Sequence, residues 1–218
     1  MKRTVETRTR VRLRFTKKGA ARFLSHHDLM RFFERAIRRA GLPVKMSQGF
    51  NPRPRFSIAA ALGVGVTAER EILDVEFNEG LDPAVVRKKL SQTLIEGIEV
   101  VAAGYAERKS ARVTAACYQV RLPRSVAVPQ GAIDILMGRD EVVVERKSKK
   151  TSKRVNIRPC ILEIEESGSN VRLRLKITSN AAARPEEVIA ALIGDPKLDR
   201  SRLQIVRTDL EVAPQEQV

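Results

Sequence analysis

The chain has 218 residues, of which 43% are hydrophobic, so it can form a packed interior and is not a disordered basic tail. Its 41 Lys and Arg outnumber 26 Asp and Glu, and the resulting formal charge of +15 favours a polyanionic partner. Only 4% of the residues are aromatic and Trp is absent, which argues against a sheet that stacks several single-stranded bases.

Cysteine spacing and hydropathy exclude several further classes. Cys117 and Cys160 form no CxxC or Cys/His cluster, so we expect free thiols, no metal and no cofactor. No apolar run approaches the ~20 residues of a membrane span. The charged start is not followed by the apolar stretch of a signal peptide. We therefore expect a cytoplasmic protein with no membrane partner.

The positive charge is concentrated in two segments. Residues 1–55 contain 16 Lys and Arg against 3 Asp and Glu, and residues 108–158 contain 13 against 4. Residues 56–107 and 159–218 are acidic, with 4 against 9 and 8 against 10. This blocking predicts that the basic elements share a face or line one groove. The alternative is that two basic elements are merely solvated.

The first half has the periodicities of a β-α-β-β-α-β unit. In residues 9–15, Arg10, Arg12 and Arg14 alternate with apolar residues, which predicts a half-buried strand with an outer arginine row. A helix is expected to begin at the cap Ser25 and to end at Gly41. The remaining expected elements are strands over 56–66, 71–78 and 98–103 and a helix from Pro83 to about residue 94.

The second half has a similar pattern. Strands are expected over 115–122, 141–145, 160–165, 171–178 and 203–212, with a short helix or loop over 131–137 and a helix from Pro185 to Ile193. An Asn-x-Arg-Pro sequence occurs at 51–54 and again at 156–159, which indicates an internal duplication. The prediction is an α+β fold of two ferredoxin-like halves, residues 1–107 and 108–218.

Candidate catalytic chemistry is confined to two adjacent histidines. His26 and His27 are the only histidines of the chain, and they lie at the predicted start of the first helix. One of them near arginines and a nucleic-acid backbone could act as a general acid or base. The alternative is a packed or capping histidine beside a solvated one. Other catalytic signatures are weak, since Gly63-Val64-Gly65 is more typical of a turn than of a phosphate loop.

Candidate nucleic-acid contacts come from the basic elements. The segment 45–55 is polar and contains Gly and two prolines, so it is either a rigid binding loop or a stiff connection. The run 146–154 has six Lys and Arg in nine residues and is typical of a loop that contacts phosphates. The predicted contacts are Arg10, Arg12, Arg14, Arg31, Arg35, Arg38, Arg39, Lys45, Ser47, Gln48, Asn51, Arg53, Arg55, Lys147, Lys149, Lys150, Lys153, Arg154 and Arg158.

Several segments resemble one known bacterial family. Residues 15–19, 22–31, 38–43, 47–52 and 156–159 resemble the radical SAM-linked proteins, a domain of unknown function found beside or fused to a radical S-adenosylmethionine protein. The resemblance is densest over residues 11–80. The chain differs at His27, where the family usually has Leu, and at Arg53, where it usually has His. The first difference makes His26 the family position and our candidate catalytic residue, and the second argues against a two-histidine mechanism shared by the family.

The resemblance implies a radical SAM partner but no activity of the chain itself, which has no CxxxCxxC motif. The leading hypothesis is a non-catalytic module that binds RNA, such as tRNA or rRNA, or presents a substrate to the partner enzyme. One alternative is an RNA-processing or RNA-modifying enzyme that uses His26. The other is an adaptor whose basic face binds an acidic protein.

Overall fold

The computed structural model describes residues 9–106, 111–147, 152–178 and 182–213. The fold is mixed α/β, with mostly antiparallel strands and few helices. The chain divides into two compact units, one from the start to Val113 with the end from Val212, and the other over Thr114–Glu211. We call them unit 1 and unit 2. The boundary expected at 107/108 falls on residues outside the described part of the chain.

Unit 1 has the element order β-α-β-β-α-β that the sequence predicts. Its elements are β1 (Arg10–Lys17), α1 (His26–Arg39), β2 (Phe56–Ile58), β3 (Thr67–Glu76), α2 (Pro83–Ser91) and β4 (Val100–Tyr105), with a 3-10 turn over Gly19–Phe23. In the sheet, β1 lies between β4 and β3 and pairs antiparallel with both. The short β2 pairs antiparallel with β3.

Burial on one face of β1 holds α1 against the sheet. Val11, Leu13 and Phe15 are fully buried because they alternate on the inner face of the strand. The rings of Phe15 and Phe33 meet edge to face with centroids 4.9 Å apart, so the strand and the helix share one core. The opposite face of α1 is therefore turned away from the core.

The ends of α1 are fixed by local chemistry, as the sequence predicts. The Asp28 backbone N–H donates to Ser25 Oγ at 3.2 Å, which satisfies one of the unpaired donors of the first turn. Gly41 has φ +60°, the left-handed conformation that ends the helix.

The strand predicted over 56–66 is wrong beyond Ile58. Gly65 has φ +84°, and its N–H donates to the Arg22 carbonyl at 2.9 Å. Val66 N–H closes a turn on the Gly63 carbonyl at 3.2 Å. The two glycines therefore form the expected turn, which lies between β2 and β3.

Unit 2 contains β5 (Val113–Arg121), α3 (Ala132–Met137), β6 (Val143–Lys147), β7 (Ser152–Asn156), β8 (Ile161–Ser167), β9 (Asn170–Lys176), α4 (Pro185–Ile193) and β10 (Gln204–Val212). Its sheet has the order β10-β5-β9-β8, while β6 and β7 form a separate antiparallel hairpin. The residues 131–137 form a short helix, and Pro185 begins α4 as expected. None of the helices in the described ranges has the length and hydropathy to cross a bilayer.

We predict that Gly97→Ala destabilises the protein by about 2–4 kcal/mol. Gly97 has φ +85°, and a Cβ there would lie 2.3 Å from the Lys18 carbonyl oxygen, which is backbone and cannot rotate away. Urea unfolding measures the change. The control is Gly104→Ala, whose Cβ would meet no atom within 4 Å. Equal stability of the two variants would contradict the prediction.

Candidate nucleic-acid interface

The arginine row of β1 is paired with acids of the neighbouring strand. Arg10 lies opposite Glu76, and Arg12 lies opposite Asp74, in the antiparallel register of β1 and β3. Arg12 Nε and Nη2 donate to the two Asp74 carboxylate oxygens at 2.8 and 3.0 Å, and Arg10 pairs with Glu76. Arg14 donates to the Arg70 carbonyl at 3.1 Å. The acids therefore neutralise two of the three charges that the sequence offered as phosphate contacts.

Asp74 is a buried, structural carboxylate. The residue is only 3% exposed. Besides the two bonds from Arg12, its Oδ2 accepts the Ala111 backbone N–H at 2.8 Å. A carboxylate buried in this way is stable only when its charge is paired and hydrogen-bonded. The alternation of Asp74 with Glu76 thus reports pairing with β1 and not exposure to water.

The outer face of α1 carries arginines that are open to solvent. Arg31, Arg35, Arg38 and Arg39 are all exposed, while Glu34 is partly buried. Among the described residues, no carboxylate lies within ion-pair distance of Arg31 or Arg35. Arg38 reaches Glu34 at 3.3 Å, and Arg39 donates to the Thr93 carbonyl at 2.9 Å. The helix therefore presents at least two guanidinium groups to the solvent that are in no ion pair with a described residue.

The segment 45–55 is a closed loop held by its own hydrogen bonds. Met46 and Pro54 form an antiparallel bridge. Ser47 N–H donates to the Arg53 carbonyl at 2.8 Å, and the Arg53 N–H donates to Ser47 Oγ at 3.0 Å. The Lys45 carbonyl accepts the Arg55 backbone N–H at 2.8 Å. The loop is therefore preorganised, and a ligand would not have to order it.

The tip of this loop exposes the polar side chains that the sequence singled out. Lys45, Gln48, Asn51 and Arg53 are exposed, whereas the Ser47 hydroxyl is engaged in closing the loop. Arg55 is also exposed, but its Nε lies 3.3 Å from Glu76 Oε2, so its charge is shared with that acid. Lys45 and Arg53 are the cations that the loop offers to an anion.

A contact joins α1 to the loop. Arg38 Nη2 donates to the Pro52 carbonyl at 3.5 Å, which places the helix beside the tip of the loop. We call Arg31, Arg35, Arg38, Lys45 and Arg53 the α1–loop surface. Residues 26–55, which contain it, have seven Lys and Arg against two acids, Asp28 and Glu34. The basic groups of α1 and of the loop, which are close in sequence, therefore also lie close in space.

The two histidines differ in position on α1. His26 is half-buried at the first residue of the helix, and His27 is exposed. His27 and Arg31 are four residues apart, so they lie on one face of the helix. Asp28 is next to His27 in the sequence, and its carboxylate accepts a hydrogen bond from the Ser25 hydroxyl at 2.6 Å. This bond lowers the pKa of the Asp28 carboxyl, and Arg31 and His27 lower it further by smaller amounts. His27 thus shares the basic face, while His26 turns toward the core.

In unit 2, the predicted contact Arg158 and Arg146 of the basic run have structural roles. Arg146 donates through Nε and Nη2 to the Glu187 carboxylate, both at 2.7 Å, which ties the β6–β7 hairpin to the first turn of α4. Arg158 donates to the carbonyls of Met137 and Ile161. Lys153 and Arg154 are exposed on β7. Lys149, Lys150 and the side chain of Lys147 lie outside the described residues.

A cavity of about 180 Å³ lies on one face of the unit 2 sheet, lined in part by Cys117 and Arg172. Its arginines are paired with carboxylates, Arg174 with Glu211 at 2.7 Å and Arg172 with Glu165 at 3.7 Å. Burial raises the pKa of the Cys117 thiol, and the adjacent Glu211 raises it further. Paired arginines and a protonated thiol give this face no excess of positive charge for a polyanion.

Phe50 is a surface feature that the sequence reasoning missed. It is 105% exposed at the tip of the loop, next to Gly49, which has φ +116°. Burial of an aromatic side chain is favourable, so a ligand that covered this ring would gain binding free energy. Its position between glycine and asparagine, in a segment with little else to bury, could have revealed it.

We predict that Arg12→Gln lowers the free energy of unfolding by about 2–4 kcal/mol, because it leaves the buried Asp74 carboxylate without its charge partner. The matched control is Arg172→Gln, which removes a strand arginine that is 73% exposed and lies 3.7 Å from Glu165. Its effect is expected to stay within about 0.5 kcal/mol. Urea unfolding measures both, and a small loss in Arg12→Gln would show that Asp74 does not depend on this pair.

Comparison with known proteins places the chain in a family. One chain of the crystal structure of a Cbf5-Nop10-Gar1 complex is similar over 93% of this chain, with 12% identity and a TM-score of 0.44, and this chain spans 49% of its length. A chain of a Sxl-lethal protein/RNA complex is similar over 90% of this chain and 97% of its own length, with 14% identity and a TM-score of 0.23. No curated protein matches. The family described as "Uncharacterized protein conserved in bacteria (DUF2344)" matches residues 10–185, and the chain therefore belongs to it.

Proposed function

We propose that the protein is an RNA-binding module that holds a structured RNA through the α1–loop surface. The observation that carries this proposal is the contrast between two sets of arginines in unit 1. Arg10 and Arg12 on β1 are neutralised by Glu76 and Asp74. Arg31 and Arg35 on α1 are exposed and form no ion pair within the described part of the chain.

The chemistry of this surface suits a phosphate backbone. Guanidinium groups bind phosphate oxygens in a bidentate manner, and a row of them along a helix matches a row of phosphates. Arg31, Arg35 and Arg38 recur at helical spacing, so the row extends over two turns of α1. Binding of this kind recognises shape and charge more than base sequence, which is how proteins recognise folded RNA.

The module would act together with a radical SAM enzyme, as the resemblance of residues 23–54 implies. That resemblance covers α1 and the loop, so the same segment would serve RNA binding and the family's shared role.

We also propose that units 1 and 2 are duplicated ferredoxin-like halves. The strand orders β4-β1-β3-β2 and β10-β5-β9-β8 support this. When the separate β6–β7 hairpin is left aside, the last strand of each unit lies beside the first, and the third lies beside the second.

Removal of Arg31 and Arg35 together is expected to weaken binding of tRNA about tenfold at moderate salt, since each contributes a charge-assisted phosphate contact. The double variant Arg31→Gln, Arg35→Gln should also reduce the slope of log affinity against log salt by about 2. Filter binding over a salt series measures both quantities.

The matched control removes two charges elsewhere. Arg121 and Arg124 are exposed arginines of unit 2 that belong to no predicted contact. The variant with both arginines changed to Gln should keep the slope of log affinity against log salt, and its affinity should stay within about twofold of the unmodified protein. Equal losses of RNA affinity in the two double variants would show that the effect comes from net charge alone. Absence of any tRNA or rRNA affinity in the unmodified protein would refute the proposal.

The variant His26→Ala separates a binding module from an RNA-processing enzyme. We expect it to retain tRNA affinity within about twofold, because His26 is half-buried and lies off the arginine row. In a module without catalysis, labelled RNA stays intact with either protein on a denaturing gel. Cleavage by the unmodified protein that is lost in His26→Ala, with binding retained, would replace the proposal with the enzymatic alternative.

The radical SAM partnership is tested by co-purification without nuclease. We expect a tagged chain to retain both RNA and a protein that contains a CxxxCxxC motif. Recovery of an acidic protein without RNA would favour the adaptor hypothesis.

A further inference from the structure

We propose that Phe50 is a stacking platform for an unpaired base of the bound RNA. This inference rests on the proposed function and deepens it, since it names the feature of the RNA that the loop recognises. Phe50 is fully exposed at the tip of the loop 45–55.

The loop holds this ring outward. The bridge between Met46 and Pro54 and the hydrogen bonds between Ser47 and Arg53 close the base of the loop. Gly49 has the positive φ of +116° that turns the chain just before Phe50. Because the loop backbone is already ordered, the protein loses little conformational entropy when a ligand covers the ring.

The surroundings of Phe50 favour a nucleotide over an apolar protein surface. Its exposed neighbours along the chain are Gln48, Gly49, Asn51, Pro52 and Arg53, and none of the other exposed large hydrophobic residues lies within residues 41–57. Protein-docking phenylalanines are normally central to an apolar patch. Here the amides of Gln48 and Asn51 can bond a base edge, and the arginine can hold the adjoining phosphate.

Phe23 shows by contrast why the ring face matters. It is also exposed, at 58%, and it precedes α1. The Arg22 guanidinium lies over its ring with Cζ 4.5 Å from the centroid, so one face is already occupied by a cation. Phe50 has no such contact among the described residues. Unlike Phe23, Phe50 therefore has no cation over its ring that a stacked base would have to displace.

The test compares two RNA probes that share one stem: a stem–loop with unpaired loop nucleotides, and the same stem as a blunt duplex. Phe50→Ala should weaken binding of the stem–loop by about 5- to 150-fold and leave duplex binding unchanged, as expected for loss of one base–aromatic stack. Phe50→Tyr should retain affinity, because it keeps the ring, and Phe50→Leu should not. The control Phe23→Ala should stay within about twofold for both probes.

A second measurement reports stacking directly. The chain has no Trp, so Phe50→Trp introduces a single indole. Its fluorescence should be quenched by the stem–loop and not by the duplex. Quenching by both probes, or by neither while both bind, would overturn the inference.

The outcomes separate this inference from the function on which it rests. If Phe50→Ala binds both probes normally while Arg31→Gln, Arg35→Gln weakens both, RNA binding stands and the stacking role is refuted. If neither probe binds the unmodified protein, both fail. If Phe50→Ala loses only the co-purifying protein, the ring belongs to a protein interface and the inference is wrong.

Discussion

The ion pair of Arg12 with the buried carboxylate of Asp74 determines which arginines of unit 1 remain available. It joins β1 to β3 across their register, and Arg10–Glu76 repeats it two residues away. A buried carboxylate cannot be left without its cation, so Arg12 cannot be released to a ligand without loss of stability. The outer face of this strand pair is therefore structural, and the exposed charge of the unit lies on α1 and the following loop.

The loop 45–55 complements the helix in a different way. An arginine side chain on a helix loses considerable rotamer freedom when it binds phosphate, which limits the affinity of each contact. The loop is already closed by the Met46–Pro54 bridge and by Ser47, so its groups are held before any ligand arrives. A helix row that supplies charge and a preorganised tip that supplies shape together make a more selective surface than either alone.

Much of unit 1 could be predicted from the sequence, because its signals are local. The alternation in β1, the Ser25 cap and Gly41 each depend on neighbours in the chain. The pairing of Arg12 with Asp74 joins residues far apart in sequence, so periodicity revealed an arginine row but not its neutralisation. The two Asn-x-Arg-Pro motifs show the same limit. Arg53 is exposed on a loop, whereas Arg158 donates to the Met137 and Ile161 carbonyls.

Net charge alone is consequently a poor guide to binding in this protein. The formal charge of +15 counts Arg12, Arg146 and Arg174 equally with Arg31, although the first three are paired with carboxylates. A phosphate can displace a carboxylate from an arginine only at the cost of leaving that acid unpaired, and the cost rises with the burial of the acid. Burial of the acidic partner, and not the number of arginines in a segment, therefore decides where a polyanion can bind. By that criterion α1 ranks above β1, although both carry a regular arginine row.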